Sequence, residues 1–178
     1  ATRSPTNEPR CRRFAPLIIG AGDVRSGALS RATPVLGSPA DLMDIRHMTM
    51  AQGRFLPESD PRHSQPVCVI GAKVASELFG SRPVLGEWVR IGDRRFRVIG
   101  IMTKQGESLG FNTDEVVIVP LAAAQALFNT EALFRILVEA KSREQIADAK
   151  ADIEEIIRLR HEGERDVTVI TQDAVLAT

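Results

Sequence analysis

The strongest constraint in this chain is a pair of alternating runs joined by two residues. Trp88-Val89-Arg90-Ile91 and Arg94–Ile101 flank Gly92-Asp93, a dipeptide suited to a two-residue hairpin turn. A turn of that length fixes the register, placing residue 89 opposite 96 and 90 opposite 95. Val89, Ile91, Phe96 and Val98 then share one face, and Arg90, Arg95 and Arg97 share the other. One face must be packed against apolar structure and the other left to water or a partner. The rest of the chain has to supply that packing.

It does so in short pieces. After a polar lead-in over residues 1–10, Phe14–Ile19 reads as a strand ending in a turn at Gly20 and Gly22, and Val35–Gly37 closes another apolar stretch. Ser38-Pro39-Ala40-Asp41 predicts a helix to about Arg46, with Ser38 as N-cap and Pro39 in the first turn. Val67–Ile70 predicts a strand and Ala72–Phe79 a helix with Val74 and Leu78 on one face. The loop Thr103–Thr113 carries Gly106 and Gly110; Val116–Val119 then reads as a strand, and Pro120 opens a helix to about Phe128. Phe134–Ala140 is a strand, and Ser142-Arg143-Glu144-Gln145 is a capping box. The helix it opens carries the stripe Ile146, Ala149, Ile153, Ile156 and Ile157, stops near His161 with Gly163 as its C-terminal cap, and precedes a strand at Val167–Ile170. A β-α-β pattern at both ends around a hairpin-bearing middle gives an α+β fold with an inserted segment.

Composition narrows the function. The 178 residues hold 23 basic and 23 acidic side chains, which argues against nucleic acid as a partner. Seven Phe, one Trp and no Tyr leave little for base or sugar stacking. No apolar run reaches the roughly 20 residues that span a bilayer, and no apolar core follows the opening residues to make them a signal peptide. Residues 1–113 carry a net +6 and residues 114–178 a net −6. Such halves can pair within the fold or form two surfaces for different partners. Cys68 lies in an apolar strand and reads as a buried hydrophobe. Cys11 stands among Arg10, Arg12 and Arg13, cations that favour a thiolate when exposed; pairing of the two cysteines is left open.

Chemical motifs fall short one by one. Ile19-Gly20-Ala21-Gly22 begins a dinucleotide fingerprint, but Arg25 stands where the third glycine belongs, and Pro34 would cut short the helix. Val69-Ile70-Gly71-Ala72-Lys73 lacks the spacing of a phosphate loop. His47, His63 and His161 have no metal-ligating neighbours at the usual spacing, and Glu154, Glu155, Asp148 and Asp152 lie on the polar side of a helix. No catalytic, cofactor or metal residues are assigned. The candidate site is the basic hairpin face, Arg90, Arg95 and Arg97, whose alternative reading is a solvated face that discourages edge pairing.

Taken in order, the motifs resemble the extracytoplasmic core domain of MacB-type ABC transporter permeases, within the wider FtsX-like group. The resemblance runs through Gly53-Arg54-Phe55, Pro66-Val67-Cys68-Val69-Ile70-Gly71, Leu78-Phe79-Gly80 and Leu85-Gly86. It continues through Val89-Arg90-Ile91-Gly92, Phe96-Arg97-Val98-Ile99-Gly100, Asp114, Val117-Ile118-Val119-Pro120-Leu121 and Arg160-His161. It implies a porter-like subdomain of β-α-β units from both chain ends, residues 1–55 and 133–178, with an inserted Sabre-like α/β subdomain at 56–132. It further implies a non-enzymatic domain, held between membrane helices on the extracytoplasmic side, that transmits movement driven by a cytoplasmic ABC ATPase. The implied partners are a second permease copy and either a periplasmic adaptor with an outer-membrane duct or a lipoprotein carrier. A capture domain for such a carrier or an apolar ligand (as in the LolC/LolE-like members), contacting it through Thr103–Thr113 and the basic face, is the alternative. Regulation of cell-wall enzymes, as in FtsX-like members, is a further one.

Overall fold

The computed structural model describes residues 11–58, 65–108, 111–128 and 133–140. The chain forms two compact units, Ala15–Leu137 and the pair of ends Ala1–Phe14 with Val138–Thr178. The expected capping box, the helix after it and the last strand lie outside the described residues, as do His63 and the side chain of Cys11.

The elements in order are β1 (Cys11–Ser26), β2 (Leu29–Ser38), α1 (Leu42–Ile45), β3 (Met50–Gly53), β4 (Val67–Ile70), α2 (Ala72–Phe79), β5 (Trp88–Ile91) and β6 (Arg94–Met102). A small ladder of β7 (Glu107–Ser108) and β8 (Phe111–Asn112) follows, then a 3-10 turn (Thr113–Glu115), β9 (Val117–Pro120), α3 (Leu121–Phe128) and β10 (Leu133–Ala140). Among the described residues this is a mixed α/β fold, rich in strands and sparing in helices. The main sheet runs β10-β1-β2-β9-β4-β6-β3, and β5 pairs with both β1 and β6. The ladders β1-β2-β9-β4-β6-β5 therefore close back on β1, through Val24 opposite Ile91 and Arg25 opposite Arg90.

The hairpin has the expected register: Val89 faces Phe96 and Arg90 faces Arg95, with Gly92 at φ +59° in the turn. Glycine takes that backbone with the least strain. Val89, Ile91, Phe96 and Val98 are at most 2% exposed. They join Cys68, Ile70, Val117 and Val119 in one core, which α2 covers with Val74, Leu78 and Phe79 and α3 with Ala123 and Ala124. The opposite sheet face carries a second core of Leu17, Leu36, Val69, Met102 and Ile118, covered by Leu42 of α1 and by Phe55 and Leu56. Each such side chain contributes about 1.5–3 kcal/mol by leaving water, so both faces hold the sheet.

Two expectations are corrected. Gly20 and Gly22 do not end a strand; β1 runs through them to a turn at Gly27, with Gly20 opposite Val35 and Gly22 opposite Thr33. At Gly20 the role is close approach. A Cβ on Gly20 would lie 2.6 Å from the Phe128 ring, and one on Gly37 would overlap the Cβ of Ala124, so both let α3 lie against the sheet. The helix expected from Ser38 to Arg46 is the single turn Leu42–Ile45, with Asp41 at its N-cap position. Ser38 cannot cap it because its backbone is the last rung of the parallel β2–β9 ladder, opposite Pro120.

Candidate partner-binding face

Arg90, Arg95 and Arg97 are all exposed on the outward side of β5 and β6, as the alternation requires. Two of them are positioned. The Arg95 guanidinium lies 5.4 Å from the centre of the Trp88 ring, and Arg97 Nε donates to the Gly86 carbonyl at 3.2 Å. Trp88 itself is 47% exposed, large for an indole with no role in the core.

The structure adds a residue that the hairpin alone does not reveal. Arg25 of β1 is the register partner of Arg90, and Arg90 is that of Arg95. Three exposed arginines thus form one row across β1, β5 and β6. Among the described residues, no carboxylate forms an ion pair with any of them or with Arg97. The readable signal was Ser26-Gly27, a turn dipeptide, with Val24 pointing inward and Arg25 outward at period two.

The loop Thr103–Thr113, the other expected contact region, is tied down from within. The buried Asp114 carboxylate accepts from the backbone N–H of Gln105 at 2.9 Å and of Gly106 at 3.2 Å. The Gly106 carbonyl accepts from the Thr113 hydroxyl at 3.0 Å. Asp114 N–H in turn donates to the Asn112 side chain. The main chain of Thr113 and Asp114 packs against Gly71, where a Cβ would collide with their carbonyls. Gly71 and Asp114, two residues of the motif series, are therefore halves of one structural joint between α2 and the loop.

Beside that joint lies an ion cluster. Arg31 of β2 meets Glu77 of α2 at 2.8 Å and Glu115 at 3.3 Å, and Glu115 also pairs with Lys73. The hydrogen bond from Lys73, assisted by the charge of Arg31, holds the Glu115 carboxyl below the ordinary carboxylate range. Burial pushes the Cys68 thiol far up, out of reach of thiolate chemistry. Among the described residues no group of His, Cys, Asp and Glu is gathered to hold a metal, and no helix is long and apolar enough to cross a membrane.

The fold is that of extracytoplasmic domains of ABC transporters. It matches the periplasmic region of MacB from Actinobacillus actinomycetemcomitans with a TM-score of 0.79 at 20% identity, covering 96% of this chain and 77% of that one. It matches the extracellular domain of the transporter YknZ, from Gram-positive bacteria, at 0.76 and 19% identity, covering 93% and 84%. In sequence, residues 3–156 match the model of the MacB-like periplasmic core domain. The chain belongs to that family, a transporter-domain family rather than one of catalysts. The pyoverdine export ATP-binding/permease protein PvdT of Pseudomonas entomophila is 33% identical over 172 residues, 94% of this chain and 26% of that protein. The macrolide export ATP-binding/permease protein MacB of Nitrosomonas europaea is 33% identical over 175 residues, 96% and 26%. The chain spans about a quarter of the length of these relatives.

Proposed function

We propose that this chain is the extracytoplasmic domain of an ABC export permease, and that it carries movement driven by ATP hydrolysis in the cytoplasm to a protein partner outside the membrane. The observation that supports this most directly is the family match over residues 3–156, in relatives whose names join ATP binding, permease and export. In this reading the full-length protein is anchored in the membrane, works with an ATPase subunit or domain, and meets a second permease copy. Its outer partner is an adaptor leading to an outer-membrane duct, or a lipoprotein carrier. Residues 1–55 and 133–178 form the porter-like part and 56–132 the insert, with Arg90, Arg95 and Arg97 among the partner contacts. A sheet packed on both faces is stiff enough to move as a body, which suits transmission better than a soft ligand cavity would.

The experiment is a distance measurement in the full permease. A spin label at the exposed position 81, in a Cys11→Ser background, reports the separation of the two copies, while buried Cys68 stays unlabelled. ATP binding is expected to shift that separation by several ångströms. An unchanged separation in a permease that still hydrolyses ATP would refute transmission by this domain.

A further inference from the structure

We infer that the row Arg25, Arg90 and Arg95, with Trp88 beside it, is a docking site for an acidic helical segment of a partner protein. The inference rests on the reading that this face meets a partner, and it supplies the partner's chemistry. Adjacent strands lie about 4.8 Å apart, so the three in-register arginines repeat at nearly one interstrand step. Carboxylates at i and i+4 on a helix lie about 5–6 Å apart, which suits that repeat.

Charge complementarity favours such an occupant. Like charges directly opposite each other destabilise a sheet, yet Arg25, Arg90 and Arg95 are placed so, with no acid among the described residues in ion-pair contact with them. A row of carboxylates would remove the repulsion as it binds. The side chains are suited to it. All three cations are arginine, whose fork holds carboxylates in a defined geometry where lysine offers only a point charge. Arg95 is held over Trp88, and a stacked guanidinium keeps its N–H edges available. An exposed Trp among arginines also has the make-up of an interface centre. A membrane surface would not select this line, because a plane of headgroups would meet Arg97, exposed on the same face but outside the row, equally well.

The test uses the 178-residue chain and a fluorescent alanine-based helical peptide with glutamate at every fourth position, beside its glutamine counterpart. Binding by anisotropy should be saturable for the glutamate peptide, weaken as salt rises, and be undetectable for the glutamine peptide. Arg25→Glu and Arg90→Glu should each weaken it about tenfold, and Arg25→Gln by less in the same direction. Arg94→Glu, an equal change of charge, should stay within about twofold. Circular dichroism checks that each variant is folded. The inference is overturned if the glutamate peptide does not bind, if Arg94→Glu costs as much as Arg90→Glu, or if Arg25 matters for phosphatidylglycerol vesicles and not for the peptide. None of these outcomes touches the nucleotide-dependent distance, so this inference and the transmission reading can fail separately.

Discussion

Removing the Asp114 carboxylate should loosen one loop by a calculable amount. Asp114 is 5% exposed, and its two oxygens accept from the N–H groups of Gln105 and Gly106. Hydrogen bonds to a charged group are worth about 1.5–3 kcal/mol each, and donors left without an acceptor lose that and regain only what water supplies. The loop can open partly to solvent, so Asp114→Ala should cost about 2–4 kcal/mol in all. At this chain length each kcal/mol lowers Tm by about 2–4 °C, giving a fall of roughly 4–16 °C. Asp114→Asn should recover little, because its NH2 group would face a backbone donor. Urea unfolding gives the free energy, and hydrogen exchange gives the location: protection should fall first at the Gln105 and Gly106 amides. An Asp114→Ala variant with an unchanged urea midpoint and unchanged exchange at those amides would refute the argument that this side chain pins the loop.

Other consequences can be checked with single variants. Gly37→Ala should destabilise by about 1–3 kcal/mol through overlap with Ala124; Ala124→Gly in the same chain should restore part of the loss in urea unfolding. Glu115, with its pKa depressed in the folded state, contributes stability above its unfolded pKa and loses it as pH falls through the folded value. Lys73→Met should therefore bring the acid side of the stability curve to higher pH, measured by thermal melts across the carboxylate range. In a Cys11→Ser background, Cys68 should not react with a thiol reagent in the native state and should react fully in denaturant; rapid native labelling would contradict its burial.

The parts legible in the sequence were those fixed by local rules. Turn length and alternation determine the β5–β6 register without help from the rest of the chain, and Ala72–Phe79 forms its helix on its own apolar spacing. The misread parts depend on distant neighbours. Gly20 resembles a turn residue until Phe128 is laid over it, and Ser38 resembles a cap until Pro120 claims its backbone. The candidate site was legible by half for the same reason. Arg90, Arg95 and Arg97 belong to one hairpin, whereas Arg25 reaches the row only through the β1–β5 ladder. Asp114 entered through family resemblance, and its work becomes visible only where Gln105 and Gly106 turn back toward it.

The closed run of strands also sets an order of assembly. The β1–β2 and β5–β6 hairpins are local and can form within about 1–10 μs, but β2 must then wait for β9 before its second edge is covered. From Val35 to its partner Val117 is 82 residues, which at about 5–20 residues per second means roughly 4–16 s of synthesis. For that interval the nascent chain carries an apolar strand edge with no native neighbour, a template for pairing with the wrong chain. The same ladder that completes the sheet thus creates a hazard while the chain is still being made.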